Sequence, residues 1–512
     1  MADLRATDYL VIGGGSGGCA AARILAERSG GTVVVLESGG TNQRPDITHP
    51  DRWAELLSGD TNWGFETVPQ TAAGGRVHRW PMGKVLGGSS SVNGMKYMRG
   101  GPWDYQRWVE LGCAGWEPEQ VYRVYRDLED YPQGDQRFHG TGGPISLIEV
   151  VGDHPLTAAF LAACDEKGFK RAGDFNSFDA EGYGTNQLNI RDGRREDAGS
   201  ALLGPELSRG TLQVVLNATA EELLFDRSNS RVRAVRFRTL EGVREIEVAR
   251  EVVVAAGAIA SPHLLLLSGI GPARQLEATG VPVRLPLPGV GRNLHDHIVV
   301  PMVYESLQPI PSSRYQSTEV SLYLRVTPAS QHFDMQVTMH QFAAYLPPEY
   351  ACGPNGFTFF PGTLKPRSRG SIALQSADAS VAPVIDPAYL THAEDVDMLA
   401  GIVGVVRDLV TAAPFDEWRG REVGPGAAVT GRDEVRNYVR QVASTYFHPC
   451  GTCRMGSDDD AVVDSRLKVR GTENLRVADA SVMPEIVSGN TNAPAMMIGW
   501  RAGEFIVEDA AG

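Results

Sequence analysis

The sequence has few cysteines and no long apolar stretch. Six cysteines among 512 residues are too sparse for a disulfide framework. Cys19 lies in the glycine-rich loop, Cys113 and Cys164 are isolated, and all three are predicted to be buried or free thiols. No run approaches the roughly 18 apolar residues that a membrane span needs. The sequence therefore predicts neither a disulfide-stabilised scaffold nor an integral membrane protein.

Positive charge is also in short supply. The 48 lysines and arginines are outnumbered by 62 aspartates and glutamates, which gives a net charge of −14. This balance argues against nucleic acid and anionic membranes as partners, because their phosphates would be repelled. The first residues, Met1–Thr7, lack the apolar segment of a signal peptide, so we expect a cytoplasmic protein. A chain of this length is expected to form two intergrown domains.

The N-terminal segment has the pattern of a dinucleotide-binding unit. A short apolar strand, Asp8–Ile12, leads into Gly13-Gly-Gly-Ser-Gly-Gly18, and a helical pattern follows at Cys19–Glu27. A second strand, Thr32–Leu36, ends at Glu37. The glycines allow pyrophosphate to approach the helix amides, and the carboxylate can accept hydrogen bonds from ribose hydroxyls. The unit predicts a doubly wound α/β sheet with parallel strands. The residues expected to hold the cofactor here are Gly13, Gly15, Ser16, Gly17, Gly18, Glu37 and Ser38.

The remaining sequence predicts a second domain inserted into the first. The α/β rhythm is lost between about Gly143 and Arg191 and returns from Leu212. Val299–Phe360 alternates apolar and polar residues, which is typical of an antiparallel sheet. We therefore expect a discontinuous Rossmann-like cofactor domain and a smaller α+β substrate domain. The cofactor domain is predicted to comprise residues 1–150, 196–298 and 436–512, and the substrate domain residues 151–195 and 299–435.

A strand near the C-terminus bears on the choice of cofactor, because the N-terminal unit alone fits both NAD and FAD. Leu475–Ala478 is followed directly by Asp479, far in sequence from the glycine-rich loop. A carboxylate in that place suits the ribityl chain of a flavin, which NAD lacks. Asp479 can also cap the helical segment that follows it, and the two roles are compatible.

Five segments resemble the glucose–methanol–choline (GMC) family of flavin oxidoreductases. They lie in family order over nearly the whole chain. They are Gly83-Lys-Val-Leu-Gly-Gly-Ser-Ser-Ser-Val-Asn-Gly94, Gly257–Gly271, Leu287–His297, Leu364–Gly370, and the C-terminal part from His448-Pro-Cys-Gly-Thr-Cys-Arg-Met-Gly456 to Pro494.

The resemblance implies FAD, with its isoalloxazine at the boundary between the two domains. Some relatives carry a flavin-linked histidine just before Asn93, where this chain has Val92, so we expect non-covalent FAD. No metal site is predicted. The further residues expected to contact FAD are Gly87, Ser89, Ser90, Asn93, Gly94, Ala220, Ala256, Ala480 and Asn490.

The resemblance also implies a catalytic pair. The family's general base corresponds to His448, and neutral imidazole suits the removal of a hydroxyl proton. The second member is His or Asn in the family. Aligning Met496-Met-Ile-Gly499 with the closing helix of the family places it at Asn492, which could steady a developing alkoxide. Asn490 lies two residues earlier and could instead cap the following helix.

Two pairs of residues have the spacing of metal ligands. Cys450 and Cys453 could form a redox disulfide or half a zinc site, but they fall within the family segment and are expected to pack beneath the flavin site. His295 and His297 also have ligand spacing, and a structural role is predicted for them.

The leading functional prediction is FAD-dependent oxidation of an alcohol, with O2 or another acceptor reoxidising the flavin. The family also contains a lyase branch that splits cyanohydrins and a light-driven fatty acid decarboxylase branch, and a non-enzymatic flavoprotein is a third alternative. The predicted substrate segment, Met335–Phe360, is rich in aromatic residues. The residues expected to contact substrate are His340, Phe342, Tyr345 and Phe359.

Overall fold

The chain begins with the β-α-β unit that the glycine-rich loop predicts. In the computed structural model, which describes residues 5–327, 330–344, 347, 350, 352, 353 and 355–511, strand Ala6–Ile12 is followed by helix Ser16–Arg28 and strand Val33–Leu36. The two strands pair in parallel, with Ile12 opposite Leu36. The predicted helix begins three residues earlier than expected because the last glycines of the loop are already helical.

This unit is the centre of a seven-stranded mixed sheet. Its parallel part also contains Leu212–Val215, the end of the long strand Gly242–Val254, and Leu475–Val477. Two antiparallel strands, Val232–Thr239 and Thr219–Phe225, extend one side. The strands are rich in valine, leucine and isoleucine because helices and loops cover both faces of a parallel sheet.

The parallel strands end in register along one edge. Ile12 pairs with Leu36 and Val254, Leu36 pairs with Val215, and Val254 pairs with Val477. Ligands of open α/β sheets bind at this carboxyl edge because the loops that leave the strands diverge there.

The first helix and the C-terminal helix, Asn492–Ala511, pack together through glycine. A Cβ added at Gly499 would lie 1.9 Å from the carbonyl oxygen of Gly17. A Cβ added at Gly17 would lie 2.2 Å from the carbonyl oxygen of Ala478. Neither position leaves room for a side chain, so the two ends of the chain meet backbone to backbone.

A second, eight-stranded antiparallel sheet stands beside the first. Its order is Arg419–Gly424, Met302–Ser306, Gly356–Thr363, Met335–His340, Val320–Leu324 and Gly182–Thr185. The short strands Ile298–Val299 and Ser444–Thr445 extend it beside Gly356–Thr363. Ile298–Val299 spans the predicted domain boundary at 298/299, and Ser444–Thr445 lies within the predicted cofactor segment 436–512. The proposed division into domains stays a prediction.

The other elements complete the two layers. Across the described residues, no helix combines the length and apolar character that a membrane crossing requires. The remaining helices are Pro45–Thr48, Pro102–Glu110, Pro118–Leu128, Pro155–Glu166, Gly204–Arg209, Gly257–Leu267, Ala273–Ala278, Ala393–Val410 and Arg432–Val442. Short 3-10 helices occur at Pro50–Leu57, Thr71–Ala73, Gly88–Ser91, Ala413–Phe415 and Ala480–Val482, and a π-helical turn at Gly199–Leu203. The short strands are Phe65–Glu66, Arg79–Trp80, Glu129–Asp130, Ile145–Ser146, Ile148–Glu149, Gln187–Leu188, Ile190–Arg191, Arg194–Arg195, Ile270–Gly271, Leu285–Pro286, Ser371–Ala373 and Val384–Asp386.

The contact between the two helices gives a stability prediction. Gly499→Ala should lower the free energy of unfolding by about 1–3 kcal/mol, because the new methyl group meets backbone that cannot move aside cheaply. Gly404→Ala is the matched control, since Gly404 lies in helix Ala393–Val410 and a Cβ there meets nothing within 4 Å. The control should be neutral or stabilising by up to about 1 kcal/mol. Urea denaturation of both variants measures their free energies of unfolding. Equal changes in the two variants would contradict the prediction.

Candidate active site

One large cavity of about 770 Å³ runs along the carboxyl edge of the parallel strands toward the antiparallel sheet. The residues that follow four of the parallel strands line it: Gly13, Glu37, Ala255 and Asp479. At its other end it is lined by His448 and Asn490, and by Phe360 of the second sheet. The cavity therefore lies between the two sheets and is lined by residues of both.

The glycine-rich loop brings helix amides to the cavity wall. Gly13 has φ +101°, which only glycine adopts without strain. Gly88, from the second glycine-rich segment, approaches so closely that a Cβ on it would lie 2.7 Å from Gly15 Cα. The N-terminus of helix Ser16–Arg28 opens between these segments and favours negative charge.

Glu37 lies at the end of its strand and is 5% exposed. Its Oε2 accepts a hydrogen bond from the Gly14 amide at 2.8 Å, and Oε1 accepts one from the Gly39 amide at 2.7 Å. Burial raises the pKa of Glu37 to about 7, although the two amides and the charge of Lys84 act in the opposite direction. The carboxylate is thus fixed in place by backbone donors and keeps further lone pairs for a ligand.

Asp479 occupies the corresponding place after the last parallel strand. Its Oδ2 accepts hydrogen bonds from the Gly257 amide at 2.8 Å and from Ser261 Oγ at 2.5 Å. Its Oδ1 accepts one from the Ser481 amide at 2.7 Å and so caps the 3-10 helix Ala480–Val482. The capping role is therefore present, and Asp479 also lines the cavity.

The loop Gly87–Gly94 is held from behind by a buried arginine. Arg195 Nη1 donates to the carbonyl oxygens of Ser90 at 3.1 Å and Asn93 at 2.6 Å. Ser90 Oγ donates to Gly87 O at 2.6 Å and accepts from the Ala198 amide at 2.9 Å. Ser90 therefore shapes the loop from inside, while Ser89 and Asn93 reach the cavity.

At the opposite end of the cavity His448 is 7% exposed and contacts polar groups on three sides. Its backbone amide donates to Asp296 Oδ1 at 2.8 Å. Its Nδ1 lies 2.9 Å from His297 Nδ1, and its Nε2 lies 3.0 Å from Asn490 Nδ2. Backbone and ring are both fixed, so the imidazole has one orientation.

The contacts of His297 set the proton position on His448. His297 Nε2 lies 3.1 Å from the carbonyl oxygens of both Leu364 and Val487, so this nitrogen carries the hydrogen. A neutral His297 then has an unprotonated Nδ1 that accepts from His448 Nδ1. His448 Nε2 is left with its lone pair beside Asn490, on the cavity side.

Both imidazoles are neutral because charging them is unfavourable here. Burial, followed by the charge of Lys365, lowers the pKa of His297 to about 3. Burial, followed by His297 and Lys96, lowers the pKa of His448 well below its usual value. At neutral pH His448 is therefore uncharged, and its Nε2 can accept a proton.

Sequence profiles described as GMC oxidoreductase match residues 7–299 and 366–499. The chain belongs to the GMC oxidoreductase family. It is accordingly an FAD-dependent oxidoreductase that acts on CH–OH donors.

Individual GMC relatives span the whole chain. An oxygen-dependent choline dehydrogenase of Brucella anthropi is 36% identical, and the match covers 98% of this chain and 95% of the relative. The crystal structure of pyridoxine 4-oxidase from Mesorbium loti is similar with a TM-score of 0.91 and 33% identity, covering 97% and 98% of the two chains. A fungal aryl-alcohol oxidase shares the fold with a TM-score of 0.85 at 22% identity, covering 99% and 100%.

The residues present fit the FAD that GMC oxidoreductases bind. The helix N-terminus at Ser16 offers amides to a pyrophosphate, and Glu37 offers a carboxylate to a ribose. Asp479 lines the same cavity as these groups and His448. Asn490 Oδ1 is buried and has no hydrogen-bond partner among the described residues, which suits a site that is completed by a ligand.

Most of the predicted cofactor residues of this GMC oxidoreductase line the cavity. Gly18, Gly87 and Ser90 do not. Gly18 serves helix–strand packing, since a Cβ there would lie 1.9 Å from Gly13 O, and the other two shape their loop. The predicted residues that line the cavity are Gly13, Gly15, Ser16, Gly17, Glu37, Ser38, Ser89, Asn93, Gly94, Ala220, Ala256, Asp479, Ala480, Asn490, Asn492 and His448.

The predicted substrate residues do not all reach the cavity, because successive side chains of a strand point to opposite faces of the sheet. His340 lines the cavity, whereas Phe359 points into the core on the other face of the sheet, so its neighbour Phe360 lines the cavity instead. Phe342 packs against Trp53 and His340 without reaching the cavity. Tyr345 lies outside the described residues.

The two candidate asparagines for the catalytic pair have different contacts. Asn490 contacts His448, whereas Asn492 Oδ1 accepts a hydrogen bond from Ser16 Oγ at 2.6 Å at the start of the C-terminal helix. His297, for which only a structural role was expected, orients the ring of His448. His295 does have structural contacts, to Asn293 O at 2.6 Å and the Ile486 amide at 2.9 Å.

The two cysteines of the His448 segment are buried free thiols. Cys450 Sγ lies 3.6 Å from His295 Nε2. Among the described residues, no cluster of three or more histidine, cysteine or acidic side chains is arranged for a metal ion.

The contacts of the two asparagines give a prediction. Asn490→Ala should lower the rate constant of flavin reduction by alcohol about 10²-fold, because it removes the amide donor that contacts His448 Nε2 at the cavity wall. Asn492→Ala removes the Ser16 contact and should weaken FAD retention more than it slows the FAD-loaded enzyme. Stopped-flow absorbance on FAD-loaded protein separates the two effects. A larger loss of rate in Asn492→Ala than in Asn490→Ala would reverse the assignment.

Proposed function

We propose that the protein oxidises the CH–OH group of a small alcohol to the carbonyl, with His448 as the general base. The observation that carries this proposal is the unprotonated Nε2 of His448, which the His297 contact leaves facing the cavity 3.0 Å from Asn490. A fixed neutral imidazole beside an amide donor is the arrangement that removal of a hydroxyl proton requires.

The proposed reaction removes a proton and a hydride from the substrate. The substrate hydroxyl replaces Asn490 Nδ2 as the hydrogen-bond donor to His448 Nε2. Nε2 then takes the hydroxyl proton, and the carbinol carbon loses hydride as its carbonyl bond forms. Bound FAD supplies the acceptor for that hydride. Asn490 Nδ2 has a second hydrogen that can be donated to the substrate oxygen, which stabilises negative charge as it develops there.

The fixed tautomer contributes to the rate. Asp296 holds the backbone of His448 and also accepts from Tyr389 and Thr445, both at 2.5 Å. Because ring and backbone are held before substrate arrives, little reorganisation is needed when the proton moves. The choline dehydrogenase and the pyridoxine 4-oxidase named above favour oxidation over cyanohydrin cleavage, with O2 or another acceptor reoxidising the cofactor.

We infer that FAD is held without a covalent bond. Val92 precedes the cavity residue Asn93 and is 3% exposed, packed with Ile47, Leu56 and Val85. An aliphatic side chain has no nucleophilic atom that could bond to a flavin. Retention then depends on polar contacts from the glycine-rich loop, Glu37 and Asp479.

Anaerobic mixing with a panel of alcohols tests the reaction. At least one alcohol should bleach the flavin absorbance, and His448→Ala should retain FAD but slow bleaching about 10²–10⁴-fold. The wild-type rate constant should not fall as the pH is lowered from 8 to about 6.5, because burial keeps the pKa of His448 below that range. Near-normal bleaching by His448→Ala would remove the assigned base.

Acid precipitation tests the mode of attachment. The yellow colour should pass into the supernatant, because protein that binds FAD only through its fold releases it on unfolding. The absorbance spectra of supernatant and redissolved pellet measure the partition. Flavin that remains with the pellet would show a covalent link and contradict the inference from Val92.

A further inference from the structure

A buried lysine lies in the cavity near the proposed base. Lys96 lines the cavity and is 7% exposed. Its Nζ donates to Ser321 Oγ at 2.7 Å and lies 5.0 Å from the centroid of the Tyr323 ring. Ser321 is its one hydrogen-bond acceptor among the described residues, although an ammonium has three N–H donors.

The position of Lys96 is fixed from both sides. The Asn189 amide donates to Met95 O at 2.8 Å, and the Tyr97 amide donates to Gln187 O at 2.9 Å. Ser321 Oγ donates its own hydrogen to Asn186 Oδ1 at 2.8 Å, so it faces Lys96 as an acceptor. The ammonium is therefore held in one place before any ligand binds.

No carboxylate of the described residues neutralises this ammonium. The carboxylates that line the cavity are Glu37, Glu66 and Asp479. Glu37 and Asp479 are engaged with backbone amides, and Glu66 pairs with Arg79 at 3.3 Å. Burial alone lowers the pKa of Lys96, to about 7. A buried cation without a counter-ion is costly, and a ligand that brings a negative charge would offset that cost.

The charge of Lys96 acts on the groups at the base end of the cavity. It contributes to the lowered pKa of His448 and to that of His340. Ser321, the acceptor of Lys96, pairs with Thr338 in the neighbouring strand. Thr338 Oγ1 lies 2.8 Å from the Tyr446 hydroxyl, and the centroid of the Tyr446 ring lies 5.0 Å from that of His448. The same end of the cavity is lined by the flat side chains of Trp53, Phe360 and Tyr446. A ligand held there has a cation on one side and aromatic surfaces around it.

We propose that Lys96 determines specificity by binding an anionic group of the alcohol substrate, such as a carboxylate or an ionised aromatic hydroxyl. The proposal rests on alcohol oxidation at His448 and names the substrate class for it. It also predicts that choline, a cation, is a poor substrate, although choline dehydrogenases are among the relatives. Like charges in a buried site repel strongly, whereas an anion forms a charge-assisted hydrogen bond.

Ligand binding tests the proposal without turnover. Benzoate and benzamide have nearly the same shape and differ in charge. At about pH 6 both the lysine and the carboxylate are ionised. Titration of the FAD-loaded enzyme, read from the flavin absorbance and by calorimetry, should show benzoate binding at least about tenfold more tightly than benzamide. Lys96→Met should abolish this preference, and Lys96→Arg should retain part of it.

Two controls define the outcome. Lys170→Met removes an exposed lysine that pairs with Asp179 and should leave the preference unchanged. FAD content and the visible spectrum show that each variant is folded, and if Lys96→Met loses FAD, Lys96→Gln takes its place. Absence of benzoate binding, or an unchanged preference in the neutral variant, would overturn the proposal.

Turnover then separates this proposal from alcohol oxidation itself. Wild-type enzyme should have a higher kcat/KM for 4-(hydroxymethyl)benzoate than for 4-(hydroxymethyl)benzamide, and Lys96→Met should remove the difference. Equal values in wild type would refute the role of Lys96 while leaving alcohol oxidation intact. Lys96-dependent benzoate binding with no bleaching by any alcohol would refute the oxidation and leave the anion site intact.

Discussion

The rest of the site depends on the close packing of the Gly17 backbone against Ala478 and Gly499. The Gly17 Cα faces the Ala478 carbonyl on one side, and its carbonyl faces Gly499 on the other. A side chain at either glycine would force apart the first helix, the last parallel strand and the C-terminal helix. The N-terminal amides of the first helix, Asp479 and Asn490 belong to these segments or lie directly beside them, so the close approach joins both ends of the chain into one cavity. The Ser16–Asn492 hydrogen bond lies at the same junction and fixes how the two helix N-termini face each other.

Features that depend on neighbouring residues could be predicted from the sequence. The unit from Ala6 to Glu37 needs only a strand, a glycine turn and an apolar helix in order, and its elements begin and end within a few residues of the predicted bounds. Pairing between distant segments could not be predicted in the same way. Gly182–Thr185 joins Val320–Leu324 across more than a hundred residues, and Ser444–Thr445 joins Ile298–Val299. Such short strands have no periodicity of their own, because their register is set by the strand they meet.

Side-chain direction explains why the site was predicted less well than the fold. Asn490 and Asn492 are two residues apart before the same helix, and both could donate to a substrate. Only the path of the chain after Val487 decides that Asn490 faces His448 while Asn492 turns to Ser16. Phe359 and Phe360 show the same limit, because the register of the strand decides which ring reaches the cavity. His297 is a third case, since a histidine in a buried turn gives no sequence signal that its ring contacts a base 151 residues later.

The charge of Lys96 affects the basicity of His448. The charge of Lys96 is one cause of the lowered pKa of His448. An anion bound to Lys96 neutralises that charge in a buried site where screening by water is weak. The pKa of His448 then rises, and a base with a higher pKa removes a hydroxyl proton more readily. The anionic group of a substrate would therefore do more than orient the alcohol: it would strengthen the base at the moment of binding. A neutral alcohol of the same shape would bind beside a weaker base, so discrimination would appear in kcat as well as in KM.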